Sequence, residues 1–432
     1  AAGNLTATPQ KEAKEQILQF ALQGNPDTLD PQKTAGTLTF QTIKSIFDTL
    51  LEPDPSGKLV PALAEKWDIS ADGLKVTFTL RKDVVFHNGD KLTSKDVKAT
   101  FERLLAKETA SPKAGDYKAL KSVEALDDYT VVFNLAQPNS PFLATLASGW
   151  SAILPKSLID AGHDFANKPG GTGPFSLVEW VRDSKVVLKK NPNYWMKGLP
   201  KLDGVVINII TEQAVMLQGL LGGQIHGAYP IDNKDRPTLE KDPGTKVDVR
   251  LSAMDLVMSI NCSRPQLSDL RVRQAINHAI DKQKVLDVVY GGGKPIGTFM
   301  DVGSAYYKDF TSLYPYNPEK AKKMLKEAGV GPDRVFELTL PQNYELHVKA
   351  GEMYQAMLTA VGMNVQIKLV DWSTWLSEVY SKANYDLTAI GHTGKLDPDG
   401  VLGGYGIPAK RYVRWDNPRA AELITKAATV AG

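Results

Sequence analysis

Alternating apolar and polar residues define the most strongly patterned stretch of the chain, residues 59–108. After the turn pair Asp72-Gly73, apolar positions recur at every second residue of 75–80, which is the period of a strand with one buried face. Thr93 and Asp96 then form a capping box before residues 97–105, whose apolar side chains share one face of a helix. The stretch predicts a hairpin, a turn and a capped helix.

Strands and helices alternate along most of the remaining sequence, with a second hairpin at the Asp127-Asp128 turn and a helix capped by Ser268. Strands of this length separated by helices are typical of a parallel sheet covered by helices, so the fold class is α/β. The pattern predicts strands at 17–22, 205–210, 247–260, 336–340, 364–370 and 386–390, and helices at 38–51, 213–221, 317–328, 345–361 and 373–381.

Length and charge narrow the class of protein. A chain of 432 residues is longer than one typical domain, so two or three are expected. Its 51 basic and 49 acidic residues nearly cancel, which gives no electrostatic reason for binding nucleic acid or an anionic membrane. No apolar run reaches the ~18 residues of a membrane span. The lone Cys262 rules out an internal disulfide.

Motifs for catalysis or cofactors are missing from the sequence. The stretch 391–395 resembles a phosphate-binding loop only faintly, because Ala389 stands at its first glycine and Leu396 at its Ser or Thr. The six histidines include no i, i+4 pair for zinc. We therefore expect no catalytic residues, no metal site, no cofactor and no enzymatic activity.

Three landmarks resemble one family. The first is the opening stretch, with PALAEKW at 61–67, TFTLR at 77–81 and VFHNG at 85–89; the second is PGGTGPF at 169–175; the third is LSDLRVRQAINHAID at 267–281. In order and spacing they resemble the extracellular solute-binding proteins of peptide-type ABC importers, family 5. Met216 and His226 depart from the family, which usually has an arginine and an aspartate there.

The resemblance implies a two-lobed periplasmic-binding-protein fold of type II, of the peptide type, with a hinge between the lobes. By this comparison residues 1–43 and 159–246 form lobe I, 44–158 an extra domain attached to it, and 247–432 lobe II. Family members continue past a helix like 417–428 and return to lobe I. We therefore expect a further tail, which an intact mass heavier than 432 residues would reveal; a truncated chain is the alternative.

The function implied by the resemblance is an extracytoplasmic receptor that closes around a peptide-sized solute and delivers it to the membrane permease of an ABC importer. A monomer in the periplasm or at the cell surface is expected, with the signal peptide removed and a lipoprotein tether conceivable in the precursor. Residues 1–16 fit a mature terminus of this kind or an arbitrary start. A chaperone-like or adhesive binding module, which would show no saturable binding of a small solute, is the alternative function.

The ligand is predicted to lie near residues 391–400, since ligands of open α/β sheets lie beyond the carboxyl ends of strands. The family's counterpart loop holds an aspartate that pairs with the α-ammonium group of a peptide. Lys395 falls at that position here, Asp397 follows two residues later, and His392 replaces the usual tryptophan.

Two alternatives for the ligand follow. If Lys395 faces the ligand, a carboxylate such as an opine, or a glycoside, is favoured over a peptide amine; if Asp397 does, peptide binding is retained. A nickel chelate is less favoured, because the nickel branch resembles Asp-Pro-His where residues 397–399 read Asp-Pro-Asp. The predicted ligand-binding residues are Ala35, Gly36, Thr37, Trp150, Asn261, Trp372, His392, Thr393, Gly394, Lys395, Asp397 and Tyr405.

Overall fold

The computed structural model describes residues 15–252, 254–300, 302–304, 306–393, 397–406 and 412–429. These residues divide into two compact units, one ending at Val247 and the other beginning at Asp248. Within them no helix combines the length and apolar character needed to cross a membrane. The division is one of packing; the assignment of lobes and of an extra domain stays a prediction.

The first unit contains eleven strands and six α-helices among its described residues. The strands are β1 Ile17–Leu22, β2 Leu51–Pro53, β3 Leu59–Pro61, β4 Ala64–Ile69, β5 Lys75–Leu80, β6 Leu120–Asp127, β7 Thr130–Leu135, β8 Phe175–Val181, β9 Lys185–Lys190, β10 Gly204–Ile209 and β11 Gly227–Tyr229. The helices are α1 Thr37–Ile43, α2 Ser94–Leu105, α3 Phe142–Leu146, α4 Lys156–Asp160, α5 Gln213–Leu221 and α6 Arg236–Lys241, with 3₁₀ turns at Lys107–Thr109, Ala114–Tyr117 and Gly149–Ser151.

The second unit contains four strands and seven α-helices among its described residues. The strands are β12 Met254–Ile260, β13 Val335–Pro341, β14 Asn364–Val370 and β15 Leu387–Thr393. The helices are α7 Leu270–Ala279, α8 Lys282–Val289, α9 Pro318–Glu327, α10 Glu345–Ala360, α11 Trp372–Thr374, α12 Pro398–Gly406 and α13 Pro418–Thr429. A 3₁₀ turn lies at Thr311–Leu313, and a π-helical turn at Trp375–Ser381 follows α11.

Two sheets of four or more strands organise the first unit, beside the two-stranded sheet β2-β3. The larger has the strand order β11-β1-β10-β9-β8, in which β1 is parallel to β10 and β11 and the rest is antiparallel. The smaller, β4-β5-β7-β6, is built from the two predicted hairpins and packs on α2. Phe101 of α2 meets the ring of Phe133 edge-on at a centroid distance of 5.0 Å. The Thr93–Asp96 capping box predicted for α2 is confirmed.

A loop at 169–174 leads into β8 of the larger sheet and contacts the segment that follows α1. Its Gly173 N–H donates to the Ile46 carbonyl at 2.9 Å, and Phe175 N–H donates to the Ser45 carbonyl at 3.0 Å. Beside this contact the carboxylate of Asp48, only 4% exposed, accepts three hydrogen bonds. Its donors are Thr172 Oγ1 at 2.8 Å, Trp195 Nε1 at 3.1 Å and the Tyr194 hydroxyl at 3.3 Å.

One four-stranded sheet forms the centre of the second unit, in the order β12-β15-β13-β14. Strands β13, β14 and β15 are parallel, while β12 runs antiparallel to β15. Helices α7, α8, α9 and α10 cover the sheet and share its apolar core, which includes Ile276, Phe336, Leu338, Leu358 and Leu387. The predicted parallel sheet is therefore present with one antiparallel strand added at its edge.

Several elements differ from the sequence predictions, among them one helix end, one strand start and one helix cap. The helix expected at 38–51 ends at Ile43, because the carbonyls of Ser45 and Ile46 are used by the 169–174 loop and the residue after it. The strand expected from residue 247 begins at Met254, where pairing with β15 starts. Helix α7 is capped by Asp269, whose side chain accepts from Arg271 N–H, and not by Ser268.

Candidate functional site

The carboxyl ends of three parallel strands define the candidate site of the second unit. Strand β13 ends at Pro341, β14 at Val370 and β15 at Thr393. Because these strands are parallel, the residues that follow them lie along one edge of the sheet. That edge brings together Tyr344, Trp372 and the end of β15, which the sequence separates by up to 49 positions.

Aromatic side chains dominate this edge. Trp372 is half-buried and stacks on the buried Trp375 with a centroid distance of 5.0 Å and an interplanar angle of 8°. Tyr344, 40% exposed, meets Trp372 edge-on at 4.9 Å. Trp375 in turn donates its indole N–H to Thr388 Oγ1 at 3.0 Å. The inner ring is therefore fixed, and the two outer rings offer an apolar surface to a ligand.

Asp371 positions Trp372 at the start of α11. Its carboxylate accepts from Thr374 N–H at 2.9 Å and from the hydroxyls of Ser373 and Thr374, each at 2.6 Å. These hydrogen bonds hold the pKa of the Asp371 carboxyl well below its usual range. Hydrogen bonds to this ionised cap keep the short helix, and hence the indole of Trp372, in place.

His392 lies next to a buried tyrosine. Its Nε2 atom is 2.5 Å from the hydroxyl of Tyr412, which is itself 2.7 Å from Ser259 Oγ on β12. Tyr412 is 1% exposed, whereas His392 is half-buried. The imidazole that stands where the family usually has tryptophan is thus held by a polar contact as well as by packing.

Asp397 begins helix α12 as its N-cap. Its carboxylate accepts from Asp399 N–H at 2.9 Å, and Pro398 occupies the first helical position. Gly394 and Lys395 lie outside the described residues. The backbones of Thr393 and Tyr405 are described, at the end of β15 and within α12, while their side chains lie outside the description.

Asn261 does not have the free side chain expected of a ligand-binding residue. It is fully buried, and its amide N–H₂ donates to the carbonyls of Ala383 at 2.8 Å and Tyr385 at 3.0 Å. Its amide oxygen accepts from Ser263 N–H and from the Ser263 hydroxyl. Both donors and both lone pairs are used, so Asn261 joins β12 to the chain before β15 and has nothing left for a ligand.

The candidate wall residues of the first unit lie at the start of α1. Ala35 and Thr37 are exposed, and Gly36 is the N-cap of the helix. Gly36 N–H donates to Thr34 Oγ1 at 2.9 Å, and the Thr34 hydroxyl donates to Asp27 at 2.8 Å. The local turn therefore holds these three residues at the surface, where they are available for contact.

Trp150 packs close to the same helix. Its ring lies 5.4 Å from that of Phe40 in α1, and the Lys113 ammonium lies 5.3 Å from the indole. A Cβ on Gly149 would overlap the Phe40 ring, so a residue without a side chain lets the two elements meet. The structure thus brings together the helix that starts at Thr37 and the half-buried Trp150, two parts of the predicted site far apart in sequence.

Sequence reasoning missed Tyr344, Phe40 and Tyr412 as parts of these surroundings. Tyr344 follows a predicted strand and precedes a predicted helix, so the rule that ligands lie beyond carboxyl ends of strands could have found it. Phe40 and Tyr412 carried no such signal, because their partners lie 110 and 20 residues away.

Two open surface depressions lie elsewhere. One, of about 780 Å³, is lined by α5 and its neighbours, including Gln19 and Asn208; the other, of about 640 Å³, lies between α10 and β14. Neither is lined by a predicted ligand-binding residue. Within the described ranges, no three His, Cys, Asp or Glu side chains come together in a way that could hold a metal ion.

The comparisons with known proteins agree with this architecture, an α/β chain of two units. The structure superimposes on a periplasmic ABC-transporter binding protein of Helicobacter pylori solved with the peptide STSA, with a TM-score of 0.83, 30% identity, and coverage of 96% of this chain and 87% of that one. The agropinic-acid complex of the binding protein AgaA from A. tumefaciens R10 gives a TM-score of 0.82 at 28% identity, over 96% and 86% of the two chains. The class is therefore a two-lobed solute-binding protein of an ABC importer.

The chain belongs to the bacterial extracellular solute-binding proteins, family 5, whose middle-region model matches residues 58–411. The glutathione-binding protein of Salmonella choleraesuis is 32% identical over 384 residues, which cover 88% of this chain and 74% of the relative. The family resemblance found in the sequence is confirmed. Members of this family bind solutes in the periplasm or outside the cell and work with permease subunits.

Proposed function

We propose that the protein captures a short peptide with a free amino terminus. The observation that supports this most directly is the placement of Asp397 at the carboxyl edge of the second unit's sheet, after β15. An α-ammonium group removed from water needs an anionic partner, and a carboxylate supplies it together with hydrogen bonds. Only one oxygen of Asp397 is needed to cap α12, which leaves the second for a ligand.

The aromatic surface next to this edge supports the same ligand class. Tyr344 and Trp372 offer ring faces and edges that suit the apolar side chain of a peptide, whose backbone supplies the polar groups. The likeness to a structure solved with a tetrapeptide, and to a glutathione-binding relative, points in the same direction. We further propose that the receptor is a monomer; hinge closure and a lipid tether stay predictions.

A carboxylate-bearing solute of the opine type is the second candidate. Lys395 is the observation that favours it, because an ammonium group pairs with a carboxylate where the family has an aspartate. The similarity to the agropinic-acid complex is consistent with such a ligand. The two candidates predict opposite effects for substitutions at Lys395 and Asp397.

Replacing Asp397 by asparagine should separate the two oxygens' roles. Asparagine keeps the side-chain acceptor that caps α12 and removes the negative charge, so stability should change little. Affinity for trialanine should fall by roughly 10- to 100-fold, the range expected for losing a hydrogen bond to a charged group. Isothermal titration calorimetry of the full chain with trialanine and with N-acetyl-trialanine measures the loss of affinity and its dependence on the free amino group.

Lys395→Met is the matched control for the Asp397 variant. It should leave trialanine binding unchanged, and N-acetyl-trialanine should bind poorly to all variants. If Lys395→Met abolishes trialanine binding while Asp397→Asn does not, the pairing of Asp397 with the α-ammonium group is wrong and the site recognises a carboxylate. If the wild type binds no trialanine, the peptide proposal is wrong, and native mass spectrometry of the protein as purified should show one discrete bound mass, as expected for an opine, instead of a peptide ladder.

A further inference from the structure

A buried histidine in the second unit holds the end of β15. His347, on α10, is 8% exposed, and its Nε2 accepts the backbone N–H of Gly391 at 3.1 Å. Its Nδ1 lies 3.0 Å from the hydroxyl of Tyr290, the residue after α8. One imidazole therefore connects two helices to the strand that leads into the candidate ligand loop.

The sheet itself explains why a side chain is needed here. Strands β13 and β15 pair at Leu338 with Leu387 and at Thr339 with Thr388. Pairing with β13 is not continued towards Gly391, so the Gly391 N–H needs an acceptor from outside that pairing. The imidazole of His347 takes the place of a strand carbonyl and satisfies the Gly391 amide.

The hydrogen bonds also fix the tautomer of the ring. Because Nε2 accepts from an amide, the proton of the neutral imidazole sits on Nδ1 and is donated to the Tyr290 oxygen. Burial lowers the pKa of His347 to about 4, so the ring is neutral at ordinary pH and keeps its acceptor. A charged ring would present N–H groups on both sides and oppose the Gly391 amide.

The same ring touches the aromatic surface of the site. The ring centroids of His347 and Tyr344 lie 5.7 Å apart. The backbone N–H of His347 donates to the Tyr344 carbonyl at 2.9 Å in the first turn of α10. Two residues beyond Gly391 along β15, the strand ends at Thr393. His347 thus contacts both of the elements from which a ligand surface would be built.

We propose that His347, oriented by Tyr290, is a positioning residue that sets the end of β15 relative to Tyr344, and with it the point from which the chain continues towards Asp397. It touches no ligand itself. This inference rests on the proposed function, because its effect on affinity requires that the loop bind the solute.

The test compares His347→Phe with His347→Gln in the full chain. Phenylalanine keeps an aromatic ring and lacks the acceptor, whereas the glutamine side-chain oxygen can take the place of Nε2. Amide hydrogen exchange of the 387–393 segment should become at least about tenfold faster in His347→Phe, and the trialanine dissociation constant should rise about tenfold, with both largely restored in His347→Gln. Thermal unfolding measured in parallel shows whether the affinity loss exceeds any loss of stability.

Tyr290→Phe provides the second variant if His347→Phe does not fold. It removes the acceptor of the Nδ1 proton while the Gly391 amide still requires an unprotonated Nε2. The ¹⁵N spectra of histidine-labelled protein should therefore keep the signature of a ring protonated only on Nδ1, and affinity should fall less than in His347→Phe. Wild-type trialanine affinity in His347→Phe, or equal losses in His347→Phe and His347→Gln, would overturn the inference. If the wild type itself binds no trialanine, the proposed ligand fails, while the exchange of the 387–393 segment still reports whether His347 positions β15.

Discussion

Replacing Gly171 by alanine is expected to destabilise the first unit by about 3 kcal/mol or more, because an added Cβ would overlap backbone that cannot move aside. That Cβ would overlap the carbonyl oxygen of Ile46 and lie 2.7 Å from Cδ1 of Phe47. The Gly171 carbonyl also accepts from His87 N–H at 2.8 Å, which holds the loop from its other side. Chemical denaturation followed by tryptophan fluorescence measures the loss.

The adjacent Gly170 gives a matched control for this prediction. A Cβ on Gly170 would meet mainly the Cδ1 atom of Leu158 at 2.8 Å, the end of a flexible side chain that can rotate away. Gly115, with nothing within 4 Å, should tolerate alanine at almost no cost. Equal losses in Gly170→Ala and Gly171→Ala would show that the contact with Ile46 is not what requires glycine.

Substituting Asp48 by asparagine should remove a pH dependence of stability. Burial is the main cause that raises the pKa of Asp48 from 3.8 to about 6, and the nearby charge of Glu52 adds to it. The folded state therefore binds this proton more tightly than the unfolded state. The contribution of the Asp48 proton to the free energy of unfolding is fully present below pH 3.8 and is lost as the pH rises through 6, a difference of about 3 kcal/mol.

Asparagine can satisfy every partner of Asp48. Its oxygen can accept from Thr172 and Trp195, which both donate to the same carboxylate oxygen, and its N–H₂ can donate to the Tyr194 hydroxyl oxygen. Asp48→Asn should therefore match the wild type in its free energy of unfolding near pH 4 and exceed it near pH 8. Denaturation curves at both pH values measure this.

Asp54→Asn is the control for the pH series, because Asp54 is only partly buried and hydrogen bonds from Ser56 lower its pKa. Its removal should leave the fall in stability between pH 4 and 7 unchanged. If Asp48→Asn changes the free energy of unfolding by the same amount near pH 8 as near pH 4, then the carboxylate is not the source of the slope, and its three hydrogen bonds stabilise the charge as much as burial destabilises it.

Local chemistry decided the elements that were predicted correctly. Hydrogen bonds between neighbours along the chain form the Thr93–Asp96 capping box, and the Asp72-Gly73 turn needs only a glycine with a positive φ, observed at 68°. The strand positions in β5 and β13 follow from alternation or from short apolar runs, which depend on residues close in sequence. The family resemblance was also readable, because its motifs are contiguous strings.

Tertiary contacts decided what the sequence mispredicted. Helix α1 stops early because loop 169–174 binds the carbonyls that would have continued it. The alternating residues 247–252 form no strand, since a strand needs a partner and pairing begins at Met254. Asn261 follows a strand in the manner of a ligand-binding residue, yet carbonyls more than 120 positions away use its amide.

The sequence by itself determined the class of this protein: an α/β solute-binding chain with an acidic and a basic candidate in one loop. Only the tertiary structure decided which groups act on that loop. The edge-on contact of Tyr344 with Trp372 and the bond from Gly391 to His347 depend on where strands end relative to helices that are distant in sequence. Burial has the same origin, so the pKa values of Asp48 and His347 follow from packing and could not be read from residue type.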